Sequence, residues 1–292
     1  MELESAYETY KRLMFSIAYR MLGSVAEAED VVQDVFVTLH GPEPEEIRDM
    51  KAFLCRAVTN RCLNVLQSAR HRKEVYPGPW LPEPLYDAGG TEPSRRLELA
   101  EEIKYAYLVL LERLSPVERA VYVLREAYAF EYEEIARMIG KSPDHCRKIL
   151  SRARSKLNKT DADGSGKPAD YDDKQQTAAL RFIDALRRGS ITDAVSLLSE
   201  QVVLVTDGGG KVPSALRPLA GIGRVGAFLG GIASKGVFDL GVLAASVNGE
   251  TGMLLRRDGL PDAVWTFAVD SHTGQIVGIY AVNNPDKLHG NE

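Results

Sequence analysis

The chain has 292 residues, of which 45% are hydrophobic and 26% charged, a balance typical of two or three folded globular domains. Its formal net charge is −5, which is unusual for a protein that binds DNA unaided, because neutralising phosphates requires an excess of Lys and Arg. Three cysteines without zinc-type spacing argue against a disulfide framework or a zinc site. We find neither a signal segment nor an apolar run of membrane-spanning length, and we expect a cytoplasmic protein that does not enter a membrane.

The basic residues are concentrated in two stretches. Residues 48–73 contain seven Lys or Arg and one acid, and residues 132–159 contain eight Lys or Arg and three acids. Two basic stretches in an acidic chain are expected of a protein with two nucleic-acid contacts and an acidic surface left for another partner.

The N-terminal region is predicted to be helical. Residues 1–40 indicate two helices separated at Gly23-Ser24, and the second exposes an acidic face. After a break at Gly41–Pro44, a long helix is predicted over 49–71. Its polar face holds Arg56, Asn60, Asn64 and Gln67. Guanidinium and amide groups at this spacing can bond base edges and phosphates, and the alternative is an ordinary solvated face.

A proline-rich segment follows over 76–93. Five prolines and three glycines in 18 residues prevent regular structure. Fully extended at ~3.3 Å per residue, the segment reaches about 60 Å. Two DNA elements nearly two helical turns apart are separated by roughly 60–70 Å, so the segment can join modules that bind both. Trp80 and Leu81 are too apolar for a solvated linker, and we expect them to pack against another part of the chain.

Residues 132–157 have the pattern of a helix-turn-helix. Helices predicted over 95–114 and 116–128 precede it. Gly140-Lys141-Ser142 forms the turn, with Ser142 as N-cap and Pro143 at the first helical position. The second helix has one apolar face and one basic face, as expected of a helix that enters a DNA major groove. A plain helical hairpin with a solvated basic face is the alternative.

The C-terminal part changes pattern after residue 173. A helix over 174–188, a short helix, and a helix over 221–233 accompany five predicted strands, with Asn248-Gly249, Asp258-Gly259 and Thr273-Gly274 as hairpin turns. We therefore predict an α+β cone built on an antiparallel curved sheet. The strands are predicted at 201–206, 237–247, 252–257, 263–269 and 275–282.

The sequence does not indicate an enzyme. The candidate acid/base groups Asp239, Asp262, Asp270 and His272 are as consistent with strand ends as with the interior of the cone. The glycines after the first strand lack the GxxxxGK[ST] pattern of a phosphate-binding loop. We predict no catalytic residue, no cofactor and no metal site, and leave open a small-molecule ligand of the C-terminal domain.

Two segments in the N-terminal half resemble a known family. AYRMLGSVAEAEDVVQDVF with AFLCRAVTNRCLNVLQSARHR resembles region 2 of the bacterial extracytoplasmic-function (ECF) sigma factors, and LERLSPVERAVYVLREAYAFEYEEIARMIGKSPDHCRKILSRAR resembles region 4. Three further motifs resemble those of the ECF subgroup that carries a C-terminal SnoaL-like or NTF2-like domain. They are Trp80-Leu81-Pro82-Glu83-Pro84, Asp207-Gly208-Gly209-Gly210-Lys211, and Asn283-Asn284-Pro285-Asp286-Lys287-Leu288.

The resemblance implies roles for particular residues. The contacts to core RNA polymerase would come from Asp30, Gln33, Asp34 and Phe36. The −10 promoter element would be contacted by Arg56, Asn60, Arg61 and Asn64. The −35 element would be contacted by His145, Arg147, Lys148, Ser151 and Arg152. The tryptophan-containing and triple-glycine motifs would be regulatory.

The resemblance also implies a domain plan and a function. We expect region 2 over 1–75, the linker over 76–93, region 4 over 94–158, a second linker over 159–173, and the SnoaL-like domain over 174–292. The implied function is to direct core RNA polymerase to promoters, with activity modulated in cis by the C-terminal domain. The alternative is a stand-alone helix-turn-helix regulator with a ligand-sensing NTF2-like domain.

Overall fold

The structure is a computed structural model that describes residues 3–39, 49–74, 76–87, 103–158, 173–239 and 241–288. The chain divides into two compact units. The first unit comprises Met1–Glu74 and Leu110–Thr160, and the second comprises Val75–Val109 and Asp161–Glu292. The second unit therefore contains the described part of the proline-rich segment as well as the C-terminal domain.

The first unit is helical, as predicted. Its helices include α1 (Leu3–Leu22), α2 (Val25–Leu39), α3 (Met50–Glu74), α5 (Pro116–Tyr122), α6 (Tyr132–Ile139) and α7 (Pro143–Asn158), while α4 (Tyr105–Leu111) falls across the unit boundary. Gly23, with φ of 68°, ends α1, and the Ser24 hydroxyl accepts a bond from the Glu27 amide at 3.3 Å to start α2. The apolar stripe predicted for α1 is confirmed at its centre, where Met14, Ile17 and Met21 are fully buried.

The helix-turn-helix is confirmed with its predicted caps. Gly140 adopts a left-handed φ of 65° at the end of α6, a conformation that glycine reaches without strain. The Ser142 hydroxyl accepts the His145 amide at 3.3 Å, and Pro143 is the first residue of α7. Upstream, Ser115 and Glu118 form a reciprocal capping box at the start of α5.

The second unit is an α+β domain. Helices α8 (Asp173–Arg187), α9 (Ile191–Ser196) and α10 (Ile222–Ala233) accompany one six-stranded sheet in the order β2-β1-β6-β5-β4-β3. The strands are β1 (Leu198–Asp207), β2 (Leu219–Ala220), β3 (Gly241–Val247), β4 (Glu250–Arg257), β5 (Leu260–Val269) and β6 (Ile276–Val282).

The prediction of a wholly antiparallel sheet is wrong for one pair of strands. Strands β1 and β6 are parallel, whereas the other neighbouring strands run antiparallel. Hairpins fix the relative directions of β3 to β6, and the left-handed φ values of Asn248 and Gly249 (50° and 73°) confirm the first turn. No hairpin joins β1 to that series, because β2 and α10 intervene, so local turn signals could not determine its direction.

The two faces of the sheet have different coverings. One face packs against the helices, and its core is filled by side chains that include Phe182 against Phe267 at 5.3 Å and Phe238 against Trp265 at 5.9 Å between ring centroids. On the opposite face, apolar sheet residues such as Leu254 pack with Leu81. The proline-rich segment is therefore part of the domain's second hydrophobic core.

Among the described residues, no helix combines the length and the apolar character needed to cross a lipid bilayer.

Candidate nucleic-acid interface and linker contact

Helix α7 presents the basic face that the sequence predicts. The apolar residues Cys146, Ile149, Leu150, Ala153 and Leu157 are all buried. The five residues predicted to meet the −35 element are all exposed: His145, Arg147, Lys148, Ser151 and Arg152. The amphipathic pattern alone was sufficient to place these side chains, because each apolar position faces the helices beneath.

The cations of α7 differ in their pairing. Arg147 bonds Asp144 at 2.7 Å, approaches Glu133 at 3.4 Å, and lies over the Tyr132 ring at 5.0 Å. Lys148 and Arg152 form no ion pair with any other described residue. Arg147 is thus held in one orientation by its neighbours, whereas the charges of Lys148 and Arg152 are directly available to phosphates.

The residues predicted to meet the −10 element lie along α3. Arg56, Arg61 and Asn64 are exposed, and Asn60 is half-buried. A groove of about 490 Å³ runs between α2 and α3. It is lined by Asp34, Val35, Val37, Thr38, Phe53, Ala57, Asn60, Arg61 and Asn64. Three of the four predicted −10 contacts therefore share one groove.

The predicted polymerase-binding face of α2 is exposed at three of its four residues. Asp30, Gln33 and Asp34 are exposed, but Phe36 is only 6% exposed and packs edge-on against Tyr7 at 4.8 Å. The placement of Phe36 on this surface is therefore corrected, since its ring belongs to the helical core.

Sequence reasoning missed two exposed apolar side chains beside this face. Val37 is 71% exposed and Phe53 is 40% exposed, and both line the groove. Val37 lies next to the apolar stripe of α2, so its exposure could have been read from the helical period, whereas that of Phe53 depends on how α2 and α3 pack.

Two arginines connect the N-terminal helices of the first unit to the helix-turn-helix region. Arg20 in α1 donates to the Tyr128 hydroxyl at 2.7 Å, and Arg119 in α5 donates to the Met21 carbonyl at 2.6 Å. Both arginines are at least nine-tenths buried, and burial raises the pKa of Tyr128. Nothing in the local sequence pattern identified these contacts, because each joins residues about a hundred positions apart.

The proline-rich segment is anchored on a buried carboxylate at the end of β1. The side chain of Asp207 is 0% exposed and accepts four bonds. The donors are the Tyr76 hydroxyl at 2.5 Å, the Leu81 amide at 2.9 Å, the Lys287 ammonium at 2.7 Å, and the Gly209 amide at 3.0 Å. Because a buried charge is costly unless it is paired and hydrogen-bonded, this arrangement makes the segment's position depend on Asp207.

Lys287 completes the cluster as its cation. It also donates to the Leu81 carbonyl at 2.5 Å, and it lies over the Trp80 ring at 4.1 Å and the Tyr76 ring at 5.2 Å. Aromatic faces attract a partly desolvated ammonium. Burial and the neighbouring Asp207 raise the pKa of Tyr76 well above its ordinary value, so its hydroxyl stays protonated as a donor.

The triple glycine allows the backbone to approach this cluster. Gly209 and Gly210 have φ values of 60° and 71°, and a Cβ on Gly210 would lie 2.6 Å from the Pro77 side chain. Neither position therefore accepts a larger residue without strain. Lys211, the last residue of the motif, is exposed and pairs with Asp286 at 2.6 Å.

Further along the segment, the chain pairs with the edge of the sheet. Tyr86 forms an antiparallel bridge with Val247, and the Asn248 amide donates to the Leu85 carbonyl at 2.7 Å. Pro82, Pro84 and Leu85 are buried, and Glu83 is half-buried. The expectation that Trp80 and Leu81 pack against another part of the chain is confirmed. Residues 88–93 of the predicted linker lie outside the described residues, as do 95–102 of the predicted helix and 159–172 of the second linker.

Two of the four candidate acid/base groups of the C-terminal domain, Asp262 and Asp270, bond neighbouring groups at the ends of strands. Asp262 pairs with Arg257 at 3.1 Å, and Asp270 accepts the amides of His272 and Thr273 in a turn, which lowers its pKa. Both carboxylates therefore stabilise strand ends, one of the two alternatives that the sequence left open for them.

Comparisons with known proteins agree with this geometry. Two family models match the chain, Sigma-70 region 2 over residues 6–72 and Sigma-70, region 4 over residues 105–157. The ECF RNA polymerase sigma factor SigJ of Mycobacterium tuberculosis is 34% identical, over 98% of this chain and 93% of its own length. The probable ECF RNA polymerase sigma factor SigI of the same species is 30% identical over 68% of each. The crystal structure of M. tuberculosis SigJ matches with a TM-score of 0.79 at 29% identity, covering 98% of both chains.

Proposed function

Since the chain belongs to the ECF sigma factors of bacterial RNA polymerase, we propose that its C-terminal domain regulates transcription initiation by holding the proline-rich segment. Sigma factors are non-enzymatic initiation factors, and their regions 2 and 4 bind core polymerase and promoter DNA. The net charge of −5 fits this role, because polymerase contributes much of the DNA affinity that an acidic protein lacks. We infer that the protein acts in the cytoplasm, where polymerase and DNA are found.

We also propose a division of contacts among the exposed residues. The acidic face of α2 (Asp30, Gln33 and Asp34) binds core polymerase. The face of α3 with Arg56, Asn60, Arg61 and Asn64 binds the −10 element. The basic face of α7 binds the −35 element through His145, Arg147, Lys148, Ser151 and Arg152. Exposure of these side chains supports the assignment, and Phe36 contributes by packing beneath the first face.

The reach of the proline-rich segment supports a regulatory role for its contact with the sheet. Extended over roughly 60 Å, 18 residues could join modules that bind both promoter elements at once. In this structure, residues 76–87 instead follow the sheet and contribute Leu81 and Tyr86 to its core. Holding these residues removes about two-thirds of the predicted linker from use as a tether. The contact therefore controls the length of free chain between the promoter-binding regions.

The observation that best supports this proposal is the bonding of the buried Asp207 carboxylate. It joins the start of the segment, through Tyr76 and Leu81, to the end of the domain, through Lys287. One carboxylate thus links the three sequence motifs that resemble those of the SnoaL-containing subgroup.

The test compares the Asp207→Asn variant with the wild type in transcription by core polymerase. The promoter is one that has been selected with the wild-type protein. Asparagine keeps the shape of the side chain but leaves Lys287 without its counter-charge. We expect protease cleavage near Trp80 to accelerate and transcript yield to change several-fold. Asp286→Asn, which removes an exposed partner of Lys211, is the matched control and should leave both unchanged.

Two outcomes separate contact from regulation. If cleavage accelerates while transcription stays at the wild-type level, the segment is held by Asp207 but the contact is not regulatory. If cleavage is unchanged, Asp207 does not hold the segment.

A further inference from the structure

An ion pair in the α2–α3 groove joins two residues that the proposed function assigns to different partners. Arg61, assigned to the −10 element, directs both Nε and Nη2 at one oxygen of Asp34, at 3.1 and 2.5 Å. Asp34 is assigned to core polymerase. Their side chains are 51% and 52% exposed, so either residue is accessible to a partner.

The geometry of this pair is that of an occupied anion site. Arginine binds carboxylate and phosphate oxygens through the same planar set of N–H donors. Asp34 therefore takes donors that Arg61 would otherwise offer to a DNA phosphate. Asn60 and Asn64 line the same groove, so the occupied donors lie among the other residues assigned to the −10 element.

We propose that Asp34 competes with DNA phosphates for Arg61, and that core polymerase frees Arg61 to bind DNA when it binds Asp34. This inference rests on the proposed roles of the two residues. It makes the binding of polymerase and of the −10 strand cooperative, and thermodynamic linkage requires each partner to raise the affinity of the other by the same factor. An exposed ion pair of this kind changes an equilibrium constant by about 1.4- to 5-fold. We therefore expect each partner to raise the affinity of the other by a factor in this range.

The Arg61–Asp34 pair has a simpler interpretation as a surface contact that stabilises the helices alone. The two interpretations differ in what the loss of the Asp34 charge does to DNA binding. If the pair is purely structural, releasing Arg61 from Asp34 leaves DNA binding unchanged. If Asp34 competes with DNA, releasing Arg61 frees a group that binds phosphate.

The experiment titrates the full-length protein, without polymerase, against a fluorescent single-stranded 20-mer of mixed sequence over a range of salt concentrations. Asp34→Asn should bind about 1.4- to 5-fold more tightly at low salt, and its plot of log affinity against log salt should steepen by about 0.7, the value for one additional phosphate contact on single-stranded DNA. Asp258→Asn removes the same charge from an exposed turn of the second unit that we assign to no partner, and Asp258 forms no ion pair with Arg61, so its slope should match that of the wild type.

The double variant Asp34→Asn/Arg61→Gln completes the test. The gain from Asp34→Asn should disappear when Arg61 is absent. An equal slope change in Asp34→Asn and Asp258→Asn, or a gain that persists without Arg61, would overturn the proposal. Thermal unfolding of each variant should show no large change, because both side chains are half-exposed.

A second titration with core polymerase separates this inference from the proposed role of Asp34. Polymerase should raise the affinity of the wild type for the oligonucleotide more than that of Asp34→Asn. If Asp34→Asn binds polymerase as tightly as the wild type, Asp34 is not a docking residue and release by polymerase is wrong, even where the slope change occurs. If Asp34→Asn weakens polymerase binding but does not change the salt dependence of DNA binding, Asp34 contacts polymerase and the proposed competition for Arg61 is wrong.

Discussion

The charged residues of the linker contact, in the second unit, and those assigned to DNA, in the first, have different surroundings. In the second unit, Asp207 is buried and the Lys287 side chain is only 11% exposed, and their charges are directed at each other and at groups of the same unit. In the first unit, the cations assigned to DNA, such as Lys148 and Arg152, are exposed. A cation is therefore available to phosphates only where folding leaves it in water, whereas a buried one fixes the position of the chain.

The first unit contains exceptions that sharpen this contrast. Arg20 and Arg119 are buried and bond groups of the same unit, like Lys287 in the second. They connect parts of the chain that are distant in sequence rather than facing solvent. The function of a basic residue in this protein therefore follows from its burial rather than from its charge alone.

The largest expected effect comes from Lys287→Met, which leaves the buried Asp207 carboxylate without its cation. Removing one partner of a buried ion pair costs about 3–5 kcal/mol, so the second unit should unfold at markedly lower denaturant concentration. Lys211→Met breaks an exposed Lys–Asp pair nearby and should cost no more than about 1 kcal/mol. Chemical denaturation of the two variants measures the difference. Equal losses would contradict the contrast between buried and exposed pairs.

Asn60→Ala tests the opposite case, a half-buried side chain in a groove that faces solvent. We expect a loss of about 1–3 kcal/mol in promoter opening, the usual contribution of a good side-chain contact to a base. Affinity for core polymerase and the unfolding temperature should be unchanged. Permanganate reactivity of the −10 region, measured with polymerase, reports opening directly. An equal loss of polymerase binding would mean that Asn60 is wrongly assigned.

The smallest expected effect comes from Ser142→Ala, which removes the cap that starts α7. Loss of an N-cap hydroxyl costs about 1 kcal/mol, and it should weaken binding to the −35 element only through the stability of the helix. Ser155→Ala removes an exposed hydroxyl inside the same helix and is the matched control, since alanine favours helix interiors. Hydrogen exchange of α7 amides should distinguish them, and faster exchange in the control would argue against the cap.

Features that depend on neighbouring residues could be predicted from the amino-acid sequence. The caps at Ser24 and Ser142, the left-handed turn at Gly140, the buried and basic faces of α7, and the hairpin at Asn248-Gly249 follow from short-range rules, because helices and tight turns are closed by groups a few positions apart. The motif matches also sufficed to identify the family.

Contacts between groups that are distant in the sequence became visible only in the folded chain. Leu81 and Asp207 are 126 positions apart, and no local period indicates that the amide of one bonds the carboxylate of the other. The parallel pairing of β1 with β6, the burial of Phe36, and the Arg61–Asp34 pair have the same origin, since each depends on how separate elements pack. The sequence indicated that Trp80 and Leu81 were out of place in a solvated linker, and the folded chain showed what they pack against.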